Sequence, residues 1–143
     1  MNKVAIVYWS GTGNTEKMAF CIAEGVKEAG GEAVLLAPSE FSAATMKDYG
    51  TIAFGCSSQG SEQLEESEFE PMFAALEGSL ASKKIALFGS YGWGDGQWMR
   101  DWRARCESAN ANLFEETGMI LNDLPDDAGQ ETCRELGRGL AKW

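Results

Sequence analysis

Val4-Ala5-Ile6-Val7-Tyr8-Trp9-Ser10-Gly11-Thr12-Gly13-Asn14-Thr15 joins an apolar run to a turn of hydroxyls, glycines and one amide. The run is rich in β-branched residues and reads as a buried strand. Beyond Thr15, the spacing of Met18, Cys21, Ile22 and Val26 places them on one side of a helix. Residues 10–15 therefore form a strand-to-helix turn. Such a turn aims backbone N–H groups and hydroxyls at one point beside the positive end of a helix dipole, where a phosphate can sit. The turn holds no Lys or Arg, so it is not a GxxxxGK[ST] loop, whose Lys reaches the outer phosphates. Glu16 stands where a GxGxxG fingerprint needs its third glycine. A neutral nest suits one phosphate monoester, with Ser10, Thr12, Asn14 and Thr15 as side-chain donors and N–H groups from Gly11 through Gly13 to Thr15. Taken alone, the turn also reads as an ordinary helix cap, with Asn14 or Thr15 at the N-cap.

Five short apolar runs recur, at 3–9, 32–36, 51–56, 84–89 and 118–122. Between and after them, 14–29, 65–78, 97–112 and 129–142 carry helical spacing, and 41–49 reads as a short helix or a loop. Strand alternating with helix predicts βαβ units and a parallel sheet covered on both faces. Gly30-Gly31 is expected to end the first helix and Gly118 the fourth. The 143 residues, 44% hydrophobic, predict one domain spanning 1–143 with a full core. In an open parallel sheet, ligands bind beyond the carboxyl ends of the strands, where strand order reverses. The loops at 10–15, 57–64 and 90–98 are accordingly the candidates. They are also the richest in Gly, Ser and aromatic residues, whereas Ala37-Pro38-Ser39 is plain.

The last of these loops lies in Gly89-Ser90-Tyr91-Gly92-Trp93-Gly94-Asp95-Gly96-Gln97-Trp98. A Trp flanked by glycines is poorly placed for a core and well placed to stack on a flat ligand, so Trp93 is the stacking candidate. Trp98 and Trp102, four residues apart on the next helix, are expected in the core. The middle loop follows Gly55-Cys56 and reads Ser57-Ser58-Gln59-Gly60-Ser61-Glu62. It offers hydroxyls near the phosphate end, a turn at Gly60 and a carboxylate at Glu62 that can accept from a ring N–H. A neutral phosphate nest, a polar middle and an aromatic clamp match flavin mononucleotide (FMN) better than ATP, NAD or a sugar phosphate.

Composition excludes other classes. The net charge of −10 disfavours nucleic acid and anionic membrane surfaces, which need a Lys/Arg face. With no His, and with Cys only at 21, 56, 106 and 133, a zinc or haem site is not expected; the cysteines read as reduced, buried thiols. The start of the chain lacks a signal-peptide pattern and the apolar runs are strand-sized, so no membrane span and a cytoplasmic location are expected. Glu62, Glu65, Glu66, Glu68 and Glu70, with Asp95 and Asp101, read either as a solvated face or as an acidic rim that steers basic partners.

The chain resembles the short-chain bacterial flavodoxins of clostridial type over its whole length. The resemblance rests on Val4–Thr15, on Gly55-Cys56-Ser57 with Gly60 and Glu62, and on Ala86–Trp102. It implies an α/β fold, a three-layer αβα sandwich around a five-stranded parallel sheet of order 2-1-3-4-5, with non-covalent FMN. Residues 10–15 would cradle the phosphate with Ser57 and Ser90 assisting. Trp93 would cover the isoalloxazine, Glu62 would accept from flavin N3–H, and the Gly60 peptide would flip with redox state. Gln59 and Ser61, flanking that peptide, depart from the Met and the acid or Asn common in relatives. The implied function is low-potential one-electron transfer between redox proteins through the semiquinone/hydroquinone couple, by a monomer and not an enzyme. An FMN-dependent quinone-type reductase on the same fold is the alternative. A phospho-acceptor receiver would need acidic residues at the ends of strands one and three, where Tyr8-Trp9-Ser10 and Gly55-Cys56-Ser57 stand.

Overall fold

The computed structural model describes residues 3–59, 63–92, 94–114 and 118–143. The strands are β1 (Lys3–Trp9), β2 (Glu32–Leu36), β3 (Thr51–Cys56), β4 (Lys84–Tyr91), β5 (Asn112–Leu113) and β6 (Met119–Asn122). The helices are α1 (Asn14–Glu28), α2 (Ala43–Met46), α3 (Phe69–Leu76), α4 (Gln97–Ser108) and α5 (Asp127–Lys142). Every strand pairing is parallel, in the order β2-β1-β3-β4-β5, with β6 also on β4. The expected fifth strand is thus two short pieces: β5 beside Lys84 and Ile85, and β6 beside Phe88 to Tyr91. Five positions in the sheet are filled, in the expected order.

Side chains alternate along a strand, and this sorts the core into two halves. Val4 and Ile6 of β1 face the side where Met18, Cys21, Ile22, Val26, Cys133 and Leu140 of α1 and α5 pack with Phe88. Ala5 and Val7 face Phe69, Phe73, Trp98 and Trp102 of α3 and α4. Trp98 and Trp102 are each 1% exposed, as their spacing predicts. The four cysteines are free and buried, and burial pushes the thiols of Cys56, Cys106 and Cys133 up to about 12. They are inert packing groups.

Local chemistry sets the helix ends. Gly30 stops α1 in the left-handed region, with the Gly31 N–H reaching back to the Val26 carbonyl. The expectation that Gly118 ends the fourth helix is corrected. That helix stops ten residues earlier at Ser108, where Asn110 takes φ 62° and the Ala111 N–H closes on the Cys106 carbonyl. Asn supplies the left-handed residue that Gly usually supplies. Neither Asn14 nor Thr15 is the N-cap of α1; Gly13 is, at φ 96°.

Helices α1 and α5 touch backbone to backbone. A Cβ on Gly25 would lie 2.0 Å from the Arg134 carbonyl oxygen, and one on Gly137 would lie 2.0 Å from that of Ile22. Gly137→Ala is expected to destabilise the fold by about 3 kcal/mol, because overpacking moves whole helices. Gly78→Ala, where a Cβ would meet nothing within 4 Å, should be near neutral. Denaturant midpoints at constant m-value measure both.

Candidate functional site

The register brings four loop starts to one edge. Trp9 pairs with Cys56, Gly55 with Phe88 and Tyr91 with Asn122, so the chain leaves β1, β3, β4 and β6 on the same side. A cavity of about 270 Å³ lies there, lined by Trp9, Gly11, Thr12, Asn14, Ser57, Ser58, Gln59, Ser90, Tyr91, Gly92 and Asp123. Larger surface clefts of about 470 and 550 Å³ lie along α4 and the residues that follow it, away from this edge.

Thr15 is fully buried at the centre of the edge. Its Oγ1 shares a hydrogen bond with Ser57 Oγ at 2.6 Å and accepts the Ser90 N–H at 3.2 Å. The Ser58 N–H donates to the Ser90 carbonyl at 3.1 Å, and Ser90 Oγ donates to the Asp123 carbonyl at 2.7 Å. All four loops are thereby tied together. Below them, the Trp98 indole N–H holds the Cys56 carbonyl at 3.1 Å. Gly89 lies inside β4, where a Cβ would be 2.3 Å from that same oxygen.

Of the residues expected at the site, the structure gathers Gly11, Thr12, Asn14, Ser57, Ser58, Gln59, Ser90, Tyr91 and Gly92 around the cavity. The others are placed differently. Ser10 Oγ accepts the N–H groups of Gly13 (3.1 Å) and Glu16 (3.2 Å), so it shapes the turn as an acceptor and lines a neighbouring cavity. Gly13 caps the helix, and Thr15 and Gly89 lie beneath the surface. Gly94 and Asp95 are exposed, and Asp95 pairs with Arg100 at 2.9 Å. Gly60, Ser61, Glu62 and Trp93 lie outside the described residues.

Two lining residues escaped sequence reading. Trp9 reads as the end of a strand, although a Cβ on Gly11 would meet its ring at 3.0 Å. Asp123 follows the fifth strand position, whose loop carries neither the glycines nor the hydroxyls that mark the others. Its position after a strand end was the available signal.

The donor set fits a phosphate monoester. The N–H groups of Gly11, Thr12, Asn14 and Thr15 donate to nothing among the described residues. Gly11, Thr12 and Asn14 line a cavity that has no Lys or Arg among its described residues, at the N-terminus of a 15-residue helix.

The acidic cluster divides. Glu65 is 8% exposed, and its carboxylate accepts from the Ser67 hydroxyl and the N–H groups of Phe69, Ser67 and Glu68. Burial alone would raise its pKa; these four donors outweigh it and hold the carboxyl down at about 2. Glu70 is clamped by Arg105 at 2.7 and 2.9 Å, with Glu77 on the same guanidinium. Glu65 and Glu70 therefore do not belong to a free rim. Glu66 and Glu68 remain exposed.

A doubly wound parallel sheet with a neutral anion cradle after its first strand defines a nucleotide-binding class of α/β protein. The chain belongs to the flavodoxin family, whose model, described as Flavodoxin, matches residues 6–137. It is 46% identical over 136 residues to a flavodoxin of Clostridium beijerinckii, covering 95% of this chain and 97% of that one. It is 46% identical over 141 residues to the flavodoxin of Megasphaera elsdenii, covering 97% and 98%. The solution structure of the two-electron reduced Megasphaera elsdenii protein superposes with a TM-score of 0.88 at 44% identity, over 98% of this chain and 99% of that one. Flavodoxins bind FMN and carry electrons to redox protein partners, so the chain is an FMN-dependent electron-transfer protein and not an enzyme. This sets aside the reductase alternative. Among the described residues, no helix is long and apolar enough to cross a membrane.

Thr15→Val keeps the shape but strips the acceptor from Ser90 N–H and the partner from Ser57. It should cost about 1–3 kcal/mol in chemical denaturation, with Thr15→Ser near wild type. Glu65 titrates lower in the fold than its ordinary value of 4.5, so its contribution is complete above pH 4.5 and fades as pH falls toward about 2. Glu65→Gln should be less stable at pH 7 and lose less stability than the parent across that window in acid-titrated unfolding.

Proposed function

We propose that this chain is a low-potential one-electron carrier, holding FMN non-covalently at the carboxyl edge of the sheet and passing electrons between basic-faced redox proteins. The observation that carries the reading is the row of N–H groups at Gly11, Thr12, Asn14 and Thr15, unpaired within the described residues, the first three on residues lining a cavity with no cation among its described residues. These groups, with the Thr12 hydroxyl and the Asn14 amide, would hold the phosphate. Ser57 and Ser58 would flank it. Gln59, Tyr91 and Gly92 would lie toward the ring, with Gly60, Ser61, Glu62 and Trp93 in the roles the family resemblance implies. Bound FMN supplies the redox chemistry; the protein sets where charge is tolerated.

Two features support a low potential. Among the described residues, the only charged one lining the cavity is Asp123, and it is anionic. The chain as a whole carries −10. At an effective dielectric of about 20, one like-charge pair about 8 Å apart costs roughly 2 kcal/mol, less in salt. Placing an added electron beside such carboxylates is therefore unfavourable. Exposed Glu66, Glu68, Asp126 and Asp127 extend the negative surface that would steer basic partners. The chain is further inferred to be a single domain spanning 1–143 and a cytoplasmic monomer. Both halves of its core share one sheet, and its exposed large hydrophobic residues among those described, Phe20, Leu35 and Leu124, lie on α1, on β2 and in the loop after β6.

Stepwise reduction of the FMN-loaded protein should turn it from yellow to blue before it bleaches. A protein that stays colourless with added FMN, or bleaches without the blue species, would overturn the reading. Electron transfer to a basic redox protein should slow at least tenfold between about 50 and 500 mM salt, and Glu66→Gln with Glu68→Gln should flatten that dependence.

A further inference from the structure

We propose that Asp123 is a positioning residue for the cofactor cavity, acting through a backbone clamp on the end of β4. The inference rests on the FMN reading above. Asp123 follows β6 with φ 56°, in the left-handed region. From that conformation both of its backbone polar groups reach the end of the same strand, β4. Its N–H donates to the Tyr91 carbonyl at 2.8 Å, and its carbonyl accepts from Ser90 Oγ at 2.7 Å. Asn122 adds Nδ2 to the Tyr91 carbonyl at 3.2 Å.

The clamp reaches beyond β4. The Ser90 carbonyl holds the Ser58 N–H at 3.1 Å, so the loop after β3 depends on the same residue. Ser58, Ser90, Tyr91 and Asp123 all line the cavity. Asp123 thus holds the part of the lining that Ser58, Ser90 and Tyr91 form. Asp, Asn and Gly enter the left-handed region readily, whereas β-branched residues do so only under strain. The carboxylate takes no part in these bonds and is exposed; its Oδ1 lies 3.4 Å from where a Cβ on Gly92 would stand. Backbone conformation and side-chain charge can therefore be varied separately.

The test titrates FMN into the apoprotein of the full chain and follows amide hydrogen exchange without flavin. Asp123→Asn and Asp123→Gly should bind FMN within about threefold of the parent. Asp123→Val should bind at least tenfold more weakly, with exchange at residues 58 and 123 at least tenfold faster and exchange in α1 unchanged. Ser90→Ala, which removes the hydroxyl from the clamp, should also accelerate exchange at Asp123, and it decides the matter if Asp123→Val does not fold. Parent-like binding and exchange in Asp123→Val would overturn the clamp. So would Asn and Gly variants as weak as Val, which would put the effect in the carboxylate, or unchanged Asp123 exchange in Ser90→Ala. Failure of the parent itself to bind FMN would defeat the functional reading, while the exchange arms would still decide the clamp.

Discussion

The hydrogen bonds of Thr15 Oγ1 to Ser57 Oγ and from the Ser90 N–H hold the carboxyl edge of the sheet together. Three strands end at this point, and their loops would otherwise be independent. A buried hydroxyl that meets two loops at once leaves few arrangements open to either, because any other would strand a polar group away from water. The cavity is a consequence. Its floor is the row β1-β3-β4, and its lip is the backbone that Thr15 and its partners immobilise.

Electrostatics follows from the same arrangement. A cradle of N–H groups and hydroxyls would bind an anion without carrying a full positive charge, and no Lys or Arg stands among the described residues lining the cavity. The acidic residues are nevertheless not equivalent. Glu65 is spent on the first turn of α3, and Glu70 is matched to Arg105. Asp95 is matched to Arg100. What would remain for partners and for the potential is the exposed subset, Glu66, Glu68, Asp123 and Asp127, since Asp126 caps α5 through the Gly129 N–H. A charge count along the sequence overstates that subset, because it cannot see which carboxylates are already hydrogen-bonded.

Several elements were legible because their cause is local. The β-branched runs and the spacing of Met18, Cys21, Ile22 and Val26 locate β1, β2, β3 and α1 to within a residue. Gly30 ends α1 as glycine chemistry requires. Other features were missed because they depend on which groups meet in the fold. Asn110 ends α4 in place of the more conspicuous Gly118. Gly89, read as a cofactor contact at a strand end, is required by the Cys56 carbonyl packed against it. Ser90 looks like a phosphate donor, but its hydroxyl proton goes to the Asp123 carbonyl, and Ser10 Oγ also shapes the turn by accepting two N–H groups.

The sequence by itself determined the order of elements, the parallel sheet, the neutral character of the first turn and hence the kind of anion it suits. These depend on periodicity, β-branching and the absence of Lys and Arg, all properties of consecutive residues. Only the tertiary structure decided which hydroxyls face the cavity and which are consumed in holding it. It alone brought Trp9 and Asp123 to the wall and separated structural carboxylates from free ones. The joining of the loops in particular depends on hydrogen bonds between distant residues, Thr15 with Ser57 and Ser90, 42 and 75 positions away, which no local pattern encodes.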